Sequence, residues 1–302
     1  MVFEFPTLAQ LKPLIEMARA EDLGAALDDV TSRLTIPADR VGAGTLHLKG
    51  AAVVAGLPIV PMVASVYDER LRVEATTGSD PSSLEGRYFE HQRMPLLRVV
   101  GPMRSLLAAE RVMLNFIQRI SGVATRTREF VKRVEGTRAK VYDTRKTLPG
   151  HRLLDKYAVR CGGGCNHRIG LYDAVFVKDN HLAGVGMGDL AAFLSAMISA
   201  AYRERDVRQV VVEVDTLQQL SEVLKVAGVG VILLDNMTCR EMEQAVRLRD
   251  ASGSGAELEA SGGVNLDTIG EIAATGVERI SVGAVTHSAP ASDISLDVET
   301  AL

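Results

Sequence analysis

Between Asp143 and Asp173 the chain reads DTRKTLPGHRLLDKYAVRCGGGCNHRIGLYD, which gathers Arg145, Lys146, Arg152, Lys156, Arg160, Arg168 and two histidines around a triple glycine. The chain as a whole carries a formal net charge of −4. A guanidinium presents a planar fork of donors to carboxylate or phosphate, and each charge-assisted hydrogen bond contributes roughly 1.5 to 3 kcal/mol. Cations concentrated inside a mildly acidic protein point to a pocket for a small polyanion and away from a nucleic-acid-binding surface. Arg145, Lys146, Arg168 and the later Lys178 are the candidates for that pocket, whereas Arg152, Lys156 and Arg160 are expected to solvate a helix. The glycines of CGGGCNHR leave backbone amides uncovered for an anion, or let a ligand lie flat. His167, directly after them, is a candidate ligand contact. Cys161 and Cys165 are not expected to bind zinc, because no second ligand pair follows at zinc-finger spacing.

Two acids sit at the ends of successive apolar runs, Glu213 in QVVVEVD and Asp235 in GVILLD. Carboxylates so placed commonly hold Mg2+ against the phosphate oxygens of a ligand, with helix capping as the plainer alternative. Further on, ASGGVN and SVGAVTHS are glycine turns leading into helix starts, so the region of Ser261, Gly262, Gly263 and Gly283 offers backbone amides to a phosphate. GVGMGDL lacks a full dinucleotide fingerprint and reads as a loop. A cationic pocket, a carboxylate pair and a phosphate cradle together suit a phosphosugar diphosphate and a small polyanionic acceptor.

These groups are far apart in sequence, so a fold must bring them to one place. From Lys140 onward, short apolar strands (KVYD, AVFVKD, QVVVEVD, GVILLD, AELEASGG, RISVGA) alternate with glycine-containing turns and amphipathic helices. Such βαβ units in succession close most naturally into a parallel barrel, whose strand ends share one mouth; a doubly wound open sheet is the rival. Before them, Leu8, Leu11, Ile15 and Ala18 follow Thr7 at helical spacing, TLHLKGAAVVAG and LRVEATTG read as strands, and GSDPSSLEGR reads as a loop. The stretch GPMRSLLAAERVMLNFIQRISGVATRTREFVKRV reads as a connecting helix interrupted near Ser121 and Gly122. The apolar run AAVVAGLPIVPMVASVY is shorter than the about 20 residues of a membrane span and contains Pro58 and Pro61, so a buried strand, a turn and a helix are expected.

With 302 residues, 47% of them hydrophobic, the chain can bury a sizeable core as one large domain or two. Three cysteines are too few for a disulfide framework, and no signal peptide is readable in MVFEFPTLAQ. A cytoplasmic protein is the expectation.

The motifs EDLGAALDDVTS, ERVMLNFIQRISGVAT, DTRKTLPGHRLLDKYAVRCGGGCNHRIGLYD, VKDNH, VEVDT, LLDNM, LEASGGVN and ISVGAVTHS run through nearly the whole chain, and together they resemble the quinolinate phosphoribosyltransferase family. The resemblance implies an N-terminal α/β sandwich domain over residues 1–115, with 288–302 packing back on it, and an incomplete seven-stranded α/β barrel over residues 116–287. It implies transfer of phosphoribosyl from phosphoribosyl pyrophosphate to quinolinate with decarboxylation, dependent on Mg2+, in a homodimer. Arg145, His167, Arg168 and Lys178 would line the quinolinate pocket, with Lys146 near both substrates. Glu213 and Asp235 would hold Mg2+ and the ribose hydroxyls, and Ser261, Gly262, Gly263, Gly283 and His287 would surround the 5′-phosphate. Arg111 would reach quinolinate from the neighbouring subunit. The chain departs from the family pattern in the extended GAALDDVTS and at the variable positions Leu148, His151 and Cys165. A homologue linked to molybdate-transport genes and a catalytically silent phosphosugar-binding module are the alternatives. The intact KYAVRCGGG and NHR favour quinolinate over the first, and the retained carboxylates and cations count against the second.

Overall fold

The computed structural model describes residues 4–76, 80–90, 93–204, 207 and 209–299. The chain forms two compact units, one of residues 1–128, 148–163 and 289–302, the other of residues 129–147 and 164–288. In chain order the elements are α1 (Leu8–Leu23), α2 (Val30–Thr35), β1 (Val41–Leu48), β2 (Ala52–Val53), α3 (Ile59–Tyr67), β3 (Arg72–Ala75), β4 (Tyr88–Phe89), β5 (Met94–Pro102) and α4 (Met103–Arg133). They continue with β6 (Lys140–Tyr142), α5 (Arg152–Cys161), β7 (Val175–Val177), α6 (Leu190–Ala201), β8 (Val210–Val214), α7 (Leu217–Val223) and β9 (Val231–Asp235). Last come α8 (Cys239–Ser252), β10 (Glu257–Ser261), α9 (Ile269–Ala274), β11 (Arg279–Ser281), α10 (Ala284–His287) and β12 (Ile294–Glu299).

The first unit is built on an antiparallel sheet in the order β12-β1-β5-β3. Its outer strand comes from the far end of the chain, with Ala43 opposite Glu299 and Leu48 opposite Ile294. α1 begins at Thr7, whose N–H donates to the Gln10 side chain at 2.9 Å, and buries Leu11 and Ile15, the core positions of its apolar spacing. The run AAVVAGLPIVPMVASVY forms β2 and α3, with Pro58 capping the helix and Ile59, Val60, Val63 and Ala64 buried. Among the described residues, no helix is long and apolar enough to cross a membrane.

Two local expectations change. α4 runs without a break through Ser121 and Gly122. Ser121 is buried and donates from Oγ to the Ala55 carbonyl at 3.0 Å, while a side chain at Gly122 would collide with the Pro290 carbonyl. Gly122 therefore serves a close backbone approach, and its helix-weakening effect is outweighed by packing. Lys156 does not solvate a helix: it is fully buried, α5 being buried continuously from Leu154 to Val159, and of the three cations only Arg160 is exposed. Its neighbour Asp155 pairs with Arg119 at 3.2 Å inside the same unit. α5 groups with the first unit although its residues fall within the segment read as barrel, and the division between units falls near the end of α4.

The second unit is a parallel sheet in the order β6-β11-β10-β9-β8-β7, which contains the six strands read from Lys140 onward. Such strands need apolar residues on both faces. Val210–Val214 and Val231–Leu234 are accordingly buried without alternation. A seventh stave is reduced to a single residue: Cys165 bridges Tyr142 in parallel, donating from N to Val141 O at 2.7 Å and accepting from Asp143 N at 3.0 Å. Among the described residues no pairing joins this stave to β7, so the barrel stays open there.

Candidate active site

Parallel register aligns the carboxyl ends of the strands. Ser261 lies opposite Asp235 across β10 and β9, and Glu213 on β8 lies opposite Leu233. Beside these ends is a cleft of about 240 Å3, lined by Thr144, Arg145, Lys146, His167, Arg168, Phe176, Lys178, Glu213, Leu233, Asp235, Ser261 and Ser281. The expected cations, the carboxylate pair and Ser261 are thus brought together.

The cationic wall is held from below by buried carboxylates. Asp143, fully buried just after β6, accepts from His167 N and from Asn166 Nδ2, both at 2.7 Å, which pins the segment after the glycines. His167 Nδ1 accepts from Arg168 N at 2.7 Å, so the neutral ring carries its proton on Nε2, 3.4 Å from Glu259 Oε1. Arg168 Nη1 donates to Ala174 O at 3.3 Å. Burial pulls the Arg168 guanidinium below the ordinary arginine value; the charge of Arg145 adds to this and Asp173 opposes it. A cation this desolvated gains most from an incoming anion.

Glu259 is a buried hub that the sequence reading overlooked. It accepts from Arg279 Nε at 2.6 Å and from Ser281 Oγ, and it faces His167. Burial alone would lower the Arg279 value, but Glu259 and its neighbours more than offset it and raise it. The guanidinium also stacks 3.8 Å from the Tyr142 ring centroid. The signal was register, which places Glu259 beside Arg279 on adjacent strands.

The carboxylate of Asp235 is joined to the glycine turn after β10. Glu213, buried, receives Lys178 Nζ at 2.8 Å, so one of the cations and one of the carboxylates form an ion pair. Asp235 accepts from Asn236 Nδ2 at 2.7 Å, and Asn236 N donates to Ser261 O at 2.9 Å. Asn236 takes a left-handed φ of 54° against Gly262, whose own φ is 98°. A Cβ on Gly262 would stand 2.6 Å from Asn236 Cγ, so glycine is required there. Asn236 lay within the LLDNM motif without an assigned role, yet it links Asp235 to the turn of Gly262 and Gly263. Among the described residues no group of three His, Cys, Asp or Glu side chains is arranged to hold a metal. The carboxylates of Glu213 and Asp235 in one cleft nevertheless fit Mg2+, which is usually bound through one or two carboxylates plus substrate phosphates and water.

Gly283 and His287 stand behind this lining. A Cβ on Gly283 would meet Lys146 Cδ at 3.1 Å and the His287 ring at 3.2 Å, so the aliphatic stem of Lys146 lies over the glycine. Thr286 Oγ1 donates to Lys146 O at 2.9 Å and Lys146 N donates to Thr144 Oγ1 at 3.0 Å, fixing the backbone that carries the ammonium. Arg111 is exposed on α4 in the first unit and is not among the cleft residues.

The fold and the cleft define an open α/β-barrel protein whose strand ends gather cationic and carboxylate side chains in one cleft. Residues 29–121 match the family model of the quinolinate phosphoribosyl transferase N-terminal domain, and residues 123–297 match that of its C-terminal domain. The chain is 41% identical to nicotinate-nucleotide pyrophosphorylase [carboxylating] of Mycobacterium leprae, over 94% of this chain and 95% of that protein. It is 38% identical to the probable nicotinate-nucleotide pyrophosphorylase [carboxylating] of Bacillus subtilis, over 96% and 93% of the two chains. The crystal structure of NadC from Streptococcus pyogenes superposes with a TM-score of 0.86 at 34% identity, covering 97% of this chain and 98% of that one. The chain belongs to the quinolinate phosphoribosyltransferase family.

Proposed function

We infer that the protein transfers the phosphoribosyl group of phosphoribosyl pyrophosphate to quinolinate, releasing pyrophosphate and CO2 and forming nicotinate mononucleotide for NAD synthesis. The observation that carries this reading is the single cleft that Arg145, Lys146, Arg168 and Lys178 line together with Glu213, Asp235 and Ser261. The cations take the two carboxylates of the acceptor, and the turn from Ser261 to Gly263, with Gly283 and His287, takes the 5′-phosphate. Glu213 and Asp235 would hold Mg2+, which when bound neutralises charge on the diphosphate.

The chain's own work is positioning and electrostatics. Arg145, Arg168 and Lys178 orient the acceptor so that its ring nitrogen forms a bond to the anomeric carbon as the bond to pyrophosphate breaks. Lys146, held over Gly283, stabilises the departing anion. The ring nitrogen is then cationic, so the adjacent carboxylate leaves as CO2, its electron pair stays at the ring carbon beside the nitrogen, and a proton replaces it. His167, with Nδ1 occupied by Arg168 N and Nε2 turned toward Glu259, acts by fixing the Arg168 backbone.

We further propose a homodimer in which Arg111, exposed on α4, completes the acceptor pocket of the other subunit, and a cytoplasmic location, in keeping with three free cysteines.

Acceptor selectivity tests this reading. Nicotinate, with one carboxylate in the other ring position, leaves part of the cationic wall unpaired, so its kcat/KM should lie about 10,000-fold or more below that of quinolinate. Comparable turnover of the two acids, followed by pyrophosphate release, would overturn the pocket assignment.

A further inference from the structure

We propose that Phe176 sets the acceptor selectivity of the cleft, its ring serving both as the flat face for a planar aromatic acid and as the π surface that holds the two cations meeting its carboxylates. The proposal rests on the function inferred above and names a residue that function does not use.

Three groups of the cationic wall converge on this one ring. The Arg168 guanidinium carbon lies 4.8 Å from its centroid, Lys178 Nζ lies 4.9 Å from it, and the His167 ring centroid lies 5.6 Å away, tilted by 40°. A benzene ring attracts cations to its face through its quadrupole, more strongly when they are desolvated. Lys178 is thereby held between Glu213 and Phe176, and Arg168 between Ala174 O and the same ring. Both cations are thus placed against one ring before any anion arrives.

The ring is also placed to touch a ligand. Phe176 packs against the buried Val211, Val231 and Leu233, yet it remains only half-buried and lines the cleft. Apart from Phe176 and Leu233, the cleft is lined by polar and charged side chains. Filling the core at this strand position would need no aromatic ring, whereas offset stacking on a planar acceptor requires one. An aliphatic diacid can use the cations but not the face; an aromatic diacid can use both.

Binding measured without the second substrate separates this proposal from the reaction. Phthalate is a planar aromatic diacid without a ring nitrogen, and maleate is an aliphatic diacid of equal charge. By titration calorimetry the wild-type protein should bind phthalate at least about tenfold tighter than maleate, and Phe176→Leu should shrink that ratio by about fivefold or more. Phe176→Tyr, which keeps the face, should preserve the ratio to within about twofold. In steady-state kinetics Phe176→Leu should raise the KM for quinolinate about tenfold and leave that for phosphoribosyl pyrophosphate unchanged. If Phe176→Leu keeps the wild-type ratio and only melts earlier, the ring is a core filler and the proposal falls while the inferred function stands. If the wild-type protein binds neither diacid, the acceptor assignment itself falls.

Discussion

Asp235→Asn will lower kcat/KM for phosphoribosyl pyrophosphate by about 100-fold or more while leaving phthalate affinity within about twofold of wild type. The substitution keeps the shape of the side chain and removes the charge that, on the function proposed above, would hold Mg2+ against the diphosphate. Asp235 is held by Asn236 Nδ2 and stands opposite Ser261, whereas Lys178 pairs with Glu213, so the acceptor side should not register its loss. Glu213→Gln should behave differently. Its carboxylate pairs with Lys178 at 2.8 Å, and Lys178 also sits over Phe176. Removing that charge should impair use of phosphoribosyl pyrophosphate by a comparable factor and also alter diacid affinity, since Lys178 loses its fixed partner. Kinetics at several Mg2+ concentrations, combined with phthalate calorimetry on both variants, measures the two effects separately. Loss of phthalate binding in Asp235→Asn, with intact use of phosphoribosyl pyrophosphate, would reverse the assigned roles.

A mixture of two inactive variants should recover activity. Arg111→Ala subunits retain an intact barrel, and Arg145→Ala subunits retain an intact donor helix. If Arg111 serves the other protomer of a two-fold dimer, a mixed dimer carries one pocket with both parts intact and one with both defects. Random reassembly makes half of the dimers mixed, so about one quarter of all sites should regain function. If Arg111 served its own barrel, each chain would carry its defect into its own pocket, and no mixing ratio could help. Wild-type protein taken through the same unfolding and reassembly sets the scale, and differential tags confirm that mixed dimers form. Activity no higher than the two single-variant backgrounds would remove the shared pocket and return Arg111 to an ordinary place on the helix surface.

The barrel strands were legible because each is a short apolar run bounded by polar or glycine residues, and parallel pairing demands such runs. Residues at strand ends were legible for the same reason: Lys178, Glu213, Asp235 and Ser261 mark where apolar sequence stops, and one mouth collects them. What escaped depended on register or on contacts between distant segments. Glu259 lies inside a strand and acquires its role only from Arg279, Ser281 and His167. Asn236 acquires its role from the left-handed turn that sets it against Gly262. Phe176 reads as strand core, and only the packed structure shows two cations over its ring. Gly122 reads as a helix break because propensity is local, whereas the approach of Pro290 that requires a glycine comes from the other end of the chain. Lys156 reads as solvent-facing because it is a helix cation away from the strand ends, yet it stands in a helix that is buried along most of its length. The stave at Cys165 is one bridged residue long and carries no periodicity to read.

The central claim is that this one cleft joins phosphoribosyl transfer to decarboxylation, and quinolinate labelled in the carboxylate beside the ring nitrogen tests it most directly. With Mg2+ and phosphoribosyl pyrophosphate present, labelled CO2 and pyrophosphate should appear in equal amounts, and omission of phosphoribosyl pyrophosphate should abolish both, because the carboxylate cannot leave until the nitrogen has become cationic. Pyrophosphate release without labelled CO2, or CO2 release without phosphoribosyl pyrophosphate, would contradict the account.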